Sequence, residues 1–289
     1  MHLKLEQAKI LLCTLQQSIQ CVSNSATSSS AMGVFACYLF LLLTGMRKAY
    51  LVDCYAPGPK QVLNILKEVH RRCSCDPQLQ DMNFFVREMV VIHMDDVVLL
   101  VEYDYWKGVA LGTSPHVVDI SKDLPVVVTP QETQVLLDCI YSCAIMNISP
   151  GVYFMDVKAH EISLPSLKLY PLLTGHYLGY PFCYNFMSNA NSTTNALSMQ
   201  PLRRISFRIS IPELICEQPL LGDIDLIEYT CPVIVLEKDS QAMEKLEASI
   251  DETKQNIDNM IQEYKLKNSF PSIALYFSDS VVTLHNPVI

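Results

Sequence analysis

The sequence predicts a single domain of the α/β or α+β class, in which helices flank a mixed β-sheet. Hydrophobic residues make up 50% and charged residues 18% of the 289 residues, a globular composition that can build a large core. Helical and strand patterns follow one another along the chain. Because no internal repeat and no sharp change of composition divides the chain, one domain over residues 1–289 is expected.

The N-terminal region begins with two helical patterns. Apolar residues recur at alternating spacings of three and four from Leu5 to Val22, which predicts an amphipathic helix. Residues 23–30 (SNSATSSS) are polar and predict a flexible connector. Residues 31–44 are apolar on every side and predict a buried helix, capped by Ser30 and ended by Gly45. About fourteen apolar residues are too few for a membrane span, which needs roughly twenty.

A short strand and another helix come next. The β pattern at residues 48–53 ends in Asp53, and a Gly/Pro loop separates it from an amphipathic helix over 60–72. This order is typical of α/β folds. Strands at 89–93 and 97–103 are expected to form a hairpin, because the two acids between them favour a turn.

The middle of the chain predicts a strand, a helix and a strand. Residues 116–121 and 152–157 have the β patterns. Between them, the segment Thr129-Pro130-Gln131-Glu132 has the residues of a capping box with proline at the first helical position. A helix is therefore expected over 129–147, with Val135 among its buried residues.

Residues 167–186 (LKLYPLLTGHYLGYPFCYNF) form the most unusual stretch. They contain six Tyr and Phe rings, and no charged residue occurs between Lys168 and Arg203. We expect a helix that ends near Gly175 or Gly179 and a strand over 182–186. A stretch this apolar is expected to be buried or to line a pocket.

The C-terminal region combines strands with a long charged helix. Residues 202–211 alternate apolar and polar side chains and predict a half-exposed strand, and residues 233–236 predict a buried one. Residues 239–267 predict a long helix with apolar residues at heptad spacing. Its expected role is packing on the protein's own sheet, with an intermolecular coiled coil as the alternative. A β-hairpin that turns at Ser278-Asp279 is expected over 273–285.

Charge and cysteine content exclude several classes of protein. The net charge is −9 and no run of Lys or Arg exceeds two residues, so neither a nucleic-acid partner nor a polybasic membrane patch is expected. The eleven cysteines are odd in number and have no framework spacing. This pattern is typical of reduced thiols in a cytoplasmic or nuclear protein. The N-terminus has no pattern of a signal peptide.

Strong cofactor and metal motifs are absent from the sequence. There is no G-x-G-x-x-G, Walker A, G-x-S-x-G, H-E-x-x-H or C-x-x-C pattern, so no cofactor and no metal are expected. His70, Cys73 and Cys75 could bind a metal, but their spacing does not match a zinc knuckle. Arg203 and Arg204 could bind an anion, although an exposed strand face is the simpler interpretation.

Four residues are catalytic candidates. Asp53 and Asp119 follow predicted strands, where open α/β sheets place a ligand crevice, but both could instead cap local backbone. His176 and Cys183 lie seven residues apart across a turn and could form a base–nucleophile pair. An apolar environment would raise the pKa of the thiol and make it inert, so core packing is the expected role of the pair.

Three short segments carry a resemblance to a known family: Tyr50-Leu51-Val52-Asp53, Leu178-Gly179-Tyr180-Pro181-Phe182-Cys183-Tyr184 and Pro201-Leu202-Arg203. They are similar to the vertebrate family of the chromosome 1 open reading frame 74 protein, which is defined by a domain of unknown function. The resemblance covers most of the chain, and residues 239–267 match it least. It implies no activity, cofactor or catalytic residue.

The function expected from the sequence is that of a non-catalytic intracellular interaction or scaffold protein with a protein partner. The observation behind it is a well-formed globular sequence without a catalytic signature. The alternative is a small-molecule enzyme, hydrolase-like, with a crevice built from Asp53, Asp119, His176 and Cys183. A homo-oligomer through residues 239–267 is the less favoured alternative to a monomer.

Overall fold

The apolar helix that follows the N-terminal connector is largely buried. The computed structural model describes residues 3–23, 28–54, 57–80, 89–94, 97–109, 115–121, 124–146, 152–154, 157–163, 170–186, 197, 199–266 and 269–284. Helix α2 (Ser29–Thr44) buries ten of its sixteen residues, which confirms the buried helix. Its cap is Ser28 rather than Ser30, because the Ser28 hydroxyl accepts the N–H of Ala31 at 3.1 Å. Residues 24–27 of the predicted connector lie outside the described residues.

Helices are distributed over the whole chain. Those described are α1 (Leu5–Val22), α2, α3 (Pro59–Cys75), α4 (Pro77–Gln80), α5 (Tyr103–Val109), α6 (Pro130–Met146), α7 (Tyr170–Tyr177), α8 (Val233–Lys238) and α9 (Ser240–Leu266). The capping box of α6 forms as predicted: the Thr129 hydroxyl accepts the N–H of Glu132, and the Glu132 carboxylate accepts the N–H of Thr129. Val135 of α6 is 68% exposed, so the prediction that it is buried was wrong.

The described strands form three sheets. They are β1 (Ala49–Val52), β2 (Met89–Met94), β3 (Val97–Glu102), β4 (His116–Asp119), β5 (Val126–Val127), β6 (Val152–Phe154), β7 (Val157–Ser163), β8 (Phe182–Asn185), β9 (Pro201–Ser210), β10 (Ile224–Pro232) and β11 (Ala274–Thr283). The first sheet has the order β1-β3-β2-β7-β6 and is mixed, because β2 and β7 are parallel and the other pairs antiparallel. The other two have the orders β10-β9-β11 and β5-β4-β8. The fold is therefore α+β, with the predicted β2–β3 pairing.

The core extends from the first helix to the last strand. One cluster of buried apolar residues includes Leu3 near the N-terminus, Phe40 of α2 and Ile273 just before β11. A second cluster lies around α7 and the strands β2, β3 and β4, and includes Leu173 and Cys183. Among the described residues, no helix is both long enough and apolar enough to cross a membrane.

Two predictions for the C-terminal region were wrong. Residues 233–236 begin helix α8 instead of forming a strand, because β10 ends at Pro232 and the next turn of chain packs Val235 and Leu236 into the core. The expected hairpin is one continuous strand, β11, which pairs with β9 along its whole length. Asp279 does not turn the chain, since Arg203 binds its carboxylate with two N–O distances of 3.1 and 2.7 Å and keeps it in register.

Helix α9 packs against its own chain, as expected for residues 239–267. Its buried residues include Leu246, Ile250 and Ile257, which belong to the predicted heptad seam. At its C-terminal end, the Tyr264 hydroxyl donates to the carbonyl of Thr44 at 2.8 Å. These contacts place α9 beside the end of α2 and along β11, where it forms one wall of a cavity.

Candidate functional site

A long cavity of about 1190 Å³ lies between α9 and the ends of helices α2 and α7. We call it the α9 groove. One wall is α9 from Lys245 to Tyr264; the opposite wall is the chain at 44–49 and at 176–181, with smaller contributions from α5 and β10. At 1.5 Å per helical residue, the α9 wall is roughly 28 Å long.

The α9 wall is a stripe of polar side chains beside the helix's apolar seam. Residues that line the groove follow one another at spacings of three and four, which places them on one helix face: Lys245, Ser249, Glu252, Asn256, Asn259 and Glu263. Lys245 is half-buried, and burial lowers the pKa of its ammonium group. The wall therefore presents hydroxyl, amide, carboxylate and ammonium groups in one line.

The turn after α2 forms the first part of the opposite wall. Gly45 ends the helix with a positive φ of 80°. The Arg47 guanidinium has hydrogen-bond partners within the protein, since it donates to the carbonyls of Ala49 at 2.7 Å and Asp225 at 3.2 Å. Its guanidinium also lies over the Tyr38 ring, 4.7 Å from the centroid. This arginine holds the turn in shape. Lys48 on that side is more exposed, and its ammonium pairs with the Glu102 carboxylate at 2.8 Å.

The α7–β8 turn (residues 176–181) forms the second part of that wall. The N–H of Tyr180 donates to the carbonyl of Gly175 at 2.9 Å, and the N–H of Gly179 donates to the carbonyl of His176 at 3.1 Å. This pattern is a Schellman motif, which needs a left-handed residue, and Gly179 has φ 79°. A Cβ at Gly179 would lie 2.9 Å from the Tyr105 hydroxyl, so glycine is also needed for close packing.

His176 lines the α9 groove from this turn, although most of its side chain is covered. It is 6% exposed, and burial lowers its pKa to about 4. The imidazole is therefore neutral near pH 7 and a weak base.

Cys183 lies behind the turn and not in the groove. It is 1% exposed, and burial raises the pKa of its thiol. Its Sγ packs 3.0 Å from where a Cβ of Gly175 would be and lies 3.7 Å from the carbonyl of Tyr180. A protonated thiol packed in this way lacks the electropositive, partly exposed setting of a nucleophile.

The two aspartates are in different places. Asp119 ends β4, is 4% exposed, and its carboxylate accepts the N–H of Ser121 at 2.9 Å and the Ser121 hydroxyl at 2.6 Å. This is the local capping arrangement that aspartate makes after strands. Asp53 follows β1 on the surface. Of the four predicted candidates, only His176 lines the groove.

The other residues considered for binding have protein partners or are dispersed. Arg203 binds Glu247 and Asp279, and Arg204 binds Glu228, so carboxylates of the protein itself occupy both guanidinium groups. In the described part of the chain, no three His, Cys, Asp or Glu side chains are grouped so as to hold a metal ion. On α3, Cys73 is buried and Cys75 is exposed, so the two thiols lie in different environments.

The polar groove residues of α9 were not among the residues that the sequence singled out. Ser249, Asn256 and Asn259 interrupt an otherwise charged helix surface one step around from the heptad seam. That uncharged polar stripe can be recognised in the sequence as a distinct face of the helix. It does not indicate what lies opposite, because the facing turns are distant in the sequence.

A protein-family model described as domain of unknown function (DUF4504) matches residues 17–285. The chain therefore belongs to this family, and the match includes all the elements that build the α9 groove. No curated protein and no solved structure matches the chain.

Proposed function

We propose that this member of the DUF4504 family is a non-catalytic interaction protein whose α9 groove binds an extended segment of a partner protein. The observation that carries the proposal is the shape of the groove: one helix lines it over about five turns, from Lys245 to Tyr264. The size of the groove, the chemistry of its lining and the positions of the catalytic candidates support the proposal.

The size of the groove suits a peptide. Its volume of about 1190 Å³ exceeds the roughly 300–1,000 Å³ of most small-molecule pockets. Its wall of roughly 28 Å equals the length of about eight residues of extended chain at 3.3 Å each. A metabolite would fill only part of such a groove.

The chemistry of the groove also suits a peptide. The amides of Asn256 and Asn259 and the hydroxyls of Ser249 and Thr253 both donate and accept hydrogen bonds, as a peptide backbone requires. Leu178 and Met260 add apolar surface for the side chains of a partner. On the α9 wall, Glu252 and Glu263 can pair with a basic residue of the partner, and Lys245 can pair with an acidic one.

The alternative is a small-molecule enzyme, hydrolase-like, that uses Asp53, Asp119, His176 and Cys183. The position of neutral His176 in the groove favours it. The other three residues weaken it, because Cys183 is sealed behind the turn, Asp119 caps Ser121, and Asp53 lies outside the groove. A base without its nucleophile or an acidic partner does not complete a catalytic arrangement.

We further propose that the chain is a chromosome 1 open reading frame 74 protein of the vertebrates and acts in the cytoplasm or nucleus. The segments at 50–53, 178–184 and 201–203 support the identity. The eleven cysteines, odd in number and without framework spacing, support a reducing compartment.

We also propose that the chain acts as one domain and as a monomer. The cluster of buried apolar residues that joins Leu3 to Ile273 supports a single domain. The apolar seam of α9 is occupied by its own chain, which argues against a coiled coil between copies.

Selection of displayed peptides tests the proposed function. A library of peptides about ten residues long is selected on the wild-type protein, and binders are then measured against two variants. Asn256→Arg places a long cation inside the groove. Gln262→Arg makes the matched change at an exposed α9 position outside the groove lining.

The expected result is a peptide whose Kd rises about tenfold or more with Asn256→Arg and stays within about twofold with Gln262→Arg. Equal effects of the two variants, or no enriched peptide, would overturn the proposal. A small molecule retained in the wild-type protein and lost with Asn256→Arg, as seen by native mass spectrometry, would favour the enzyme alternative.

A further inference from the structure

We propose that the free edge of strand β11 is a second docking site, at which a basic extended segment of a partner protein adds a fourth strand to the sheet β10-β9-β11. This site is separate from the α9 groove and does not depend on it. It lies on the other side of α9, where the helix packs along β11.

The edge of β11 has the properties of a strand that accepts another strand. It is ten residues long and pairs with β9 through an unbroken register from Ala274 to Thr283. Among the described strands, none pairs with its other edge. A regular edge of this length leaves about five residues with outward N–H and C=O groups.

The exposed side chains of β11 do not block the pairing of another strand with this edge. Residues 276–281 are exposed, with Tyr276 at 56% and Val281 at 65%. Proteins usually block such an edge with Lys, Pro or a bulge, and β11 has none of these. Its one charged residue, Asp279, lies on the α9 face, where its carboxylate pairs with Arg203.

An acidic ridge runs beside the edge and selects the partner. Glu247, Asp251, Lys254 and Asp258 follow at helical spacings of four, three and four, so they share one face of α9. Two contacts place this face along β11: Arg203 joins Glu247 to Asp279, and the Lys254 ammonium lies 3.9 Å from the centroid of the Phe277 ring. Carboxylates outnumber cations on this ridge, so a segment with Lys or Arg is complementary in charge.

The same ridge disfavours a second copy of this chain. If two β11 strands paired antiparallel around a two-fold axis perpendicular to the sheet, both α9 helices would lie on one face of the joined sheet. Their acidic ridges would then approach each other, and like charges across such a contact are unfavourable. The partner that fits is therefore a basic chain and not another molecule of this acidic protein.

The two faces of the sheet predict the pattern of the partner. On the α9 face the new strand would place alternate side chains beside the acidic ridge. On the other face its neighbours are Tyr276, Ser278 and Ser280, which lie next to the ion-paired Arg204 and Arg208. We expect Lys or Arg at every second position and β-branched or polar residues between them.

A designed peptide tests this site. In the probe, about nine residues alternate lysine with valine and threonine; in its control, glutamate replaces lysine. Binding is measured with the full chain, and backbone hydrogen exchange follows the amides of residues 274–283. Asp258→Lys reverses a charge on the ridge, and Glu237→Lys makes the matched change at an exposed residue of α8.

The expected result is that the lysine peptide binds and protects the β11 amides, and the glutamate peptide does neither. Asp258→Lys should weaken binding about tenfold, while Glu237→Lys and Asn256→Arg should change it less than twofold. The proposal is overturned if the lysine peptide does not bind, if β11 exchange is unchanged, or if Glu237→Lys weakens binding equally. It is also overturned if the protein alone dimerises in the ultracentrifuge with protected β11 amides.

Discussion

The α7–β8 turn and helix α9 face each other across the groove, yet they are built in opposite ways. The turn and the strand behind it contain residues that suggest chemistry, but these are buried: His176 is neutral, and Cys183 is packed against Gly175. Helix α9 is an ordinary amphipathic helix by sequence, and it supplies the line of exposed polar groups. Residue type therefore indicates less about function here than exposure does.

This difference has a thermodynamic counterpart. Side chains of the turn should contribute mainly to stability, because they fill the second hydrophobic cluster. Groove-facing side chains of α9 should contribute mainly to binding, because solvent surrounds them in the free protein. Changes at the two walls should separate these two quantities.

The largest loss of stability is expected from Phe182→Ala. Phe182 is fully buried at the start of β8 and stacks on His116 with ring centroids 5.3 Å apart. Removing the ring should leave a cavity and lower the free energy of unfolding by about 3–5 kcal/mol, measured by urea denaturation. Phe182→Leu, which keeps most of the volume, should cost much less. Equal, small effects of both would show that strand β8, directly behind this wall, is not structural core.

Acid should weaken the turn through His176. Its folded-state pKa of about 4 lies below the ordinary value of 6.5, so the unfolded chain binds the proton first. The neutral imidazole makes its full contribution to the free energy of unfolding above about pH 6.5. This contribution, roughly 3 kcal/mol in total, is lost as the pH falls through about 4. Because carboxylates also titrate in this range, the wild type is compared with His176→Gln at each pH.

The free energy of unfolding of the wild type should fall by roughly 3 kcal/mol relative to His176→Gln between about pH 7 and pH 4. A constant difference would mean that the folded protein accepts the proton on His176. In that case the imidazole would be open to the groove, and the enzyme alternative would gain support.

A smaller effect is expected from Gly179→Ala. A left-handed residue other than glycine costs about 1 kcal/mol, and the new Cβ must displace the Tyr105 hydroxyl that lies 2.9 Å away. We expect a loss of roughly 1–2 kcal/mol in thermal or urea unfolding. Gly108→Ala is the control, since a Cβ there meets nothing within 4 Å and alanine favours its helix. A loss at both glycines would contradict the specific role of the turn.

The sequence was informative where short-range patterns decide the structure. The uniform apolar run of α2, the capping box of Thr129 and Glu132, and the long helix at 239–267 all formed as predicted. Predictions failed where distant contacts decide. Ser278-Asp279 has the composition of a turn, but Arg203, about 75 residues earlier, holds Asp279 in a strand.

For the same reason, the sequence predicted only one wall of the candidate site. The stretch at 167–186 was expected to be core or to line a pocket, and its turn at 176–181 does line the groove. The polar stripe of α9 could be read as helical, but nothing in its spacing indicates that Gly45 and Tyr180 lie opposite. Since neighbours along the chain set periodicity and tertiary packing sets cavities, sequence patterns located one wall and not the other.

The smallest effect on stability is expected at the groove face of α9. Asn256 is exposed, so Asn256→Arg should change the free energy of unfolding by less than about 0.5 kcal/mol, measured by urea denaturation. The next residue, Ile257, is buried in the seam, and Ile257→Ala should cost about 2–4 kcal/mol on the same helix. If Asn256→Arg were as costly as Ile257→Ala, the groove would be closed in solution and α9 would be core on both faces. A neutral Asn256→Arg that loses peptide binding would instead assign this face of α9 to recognition alone.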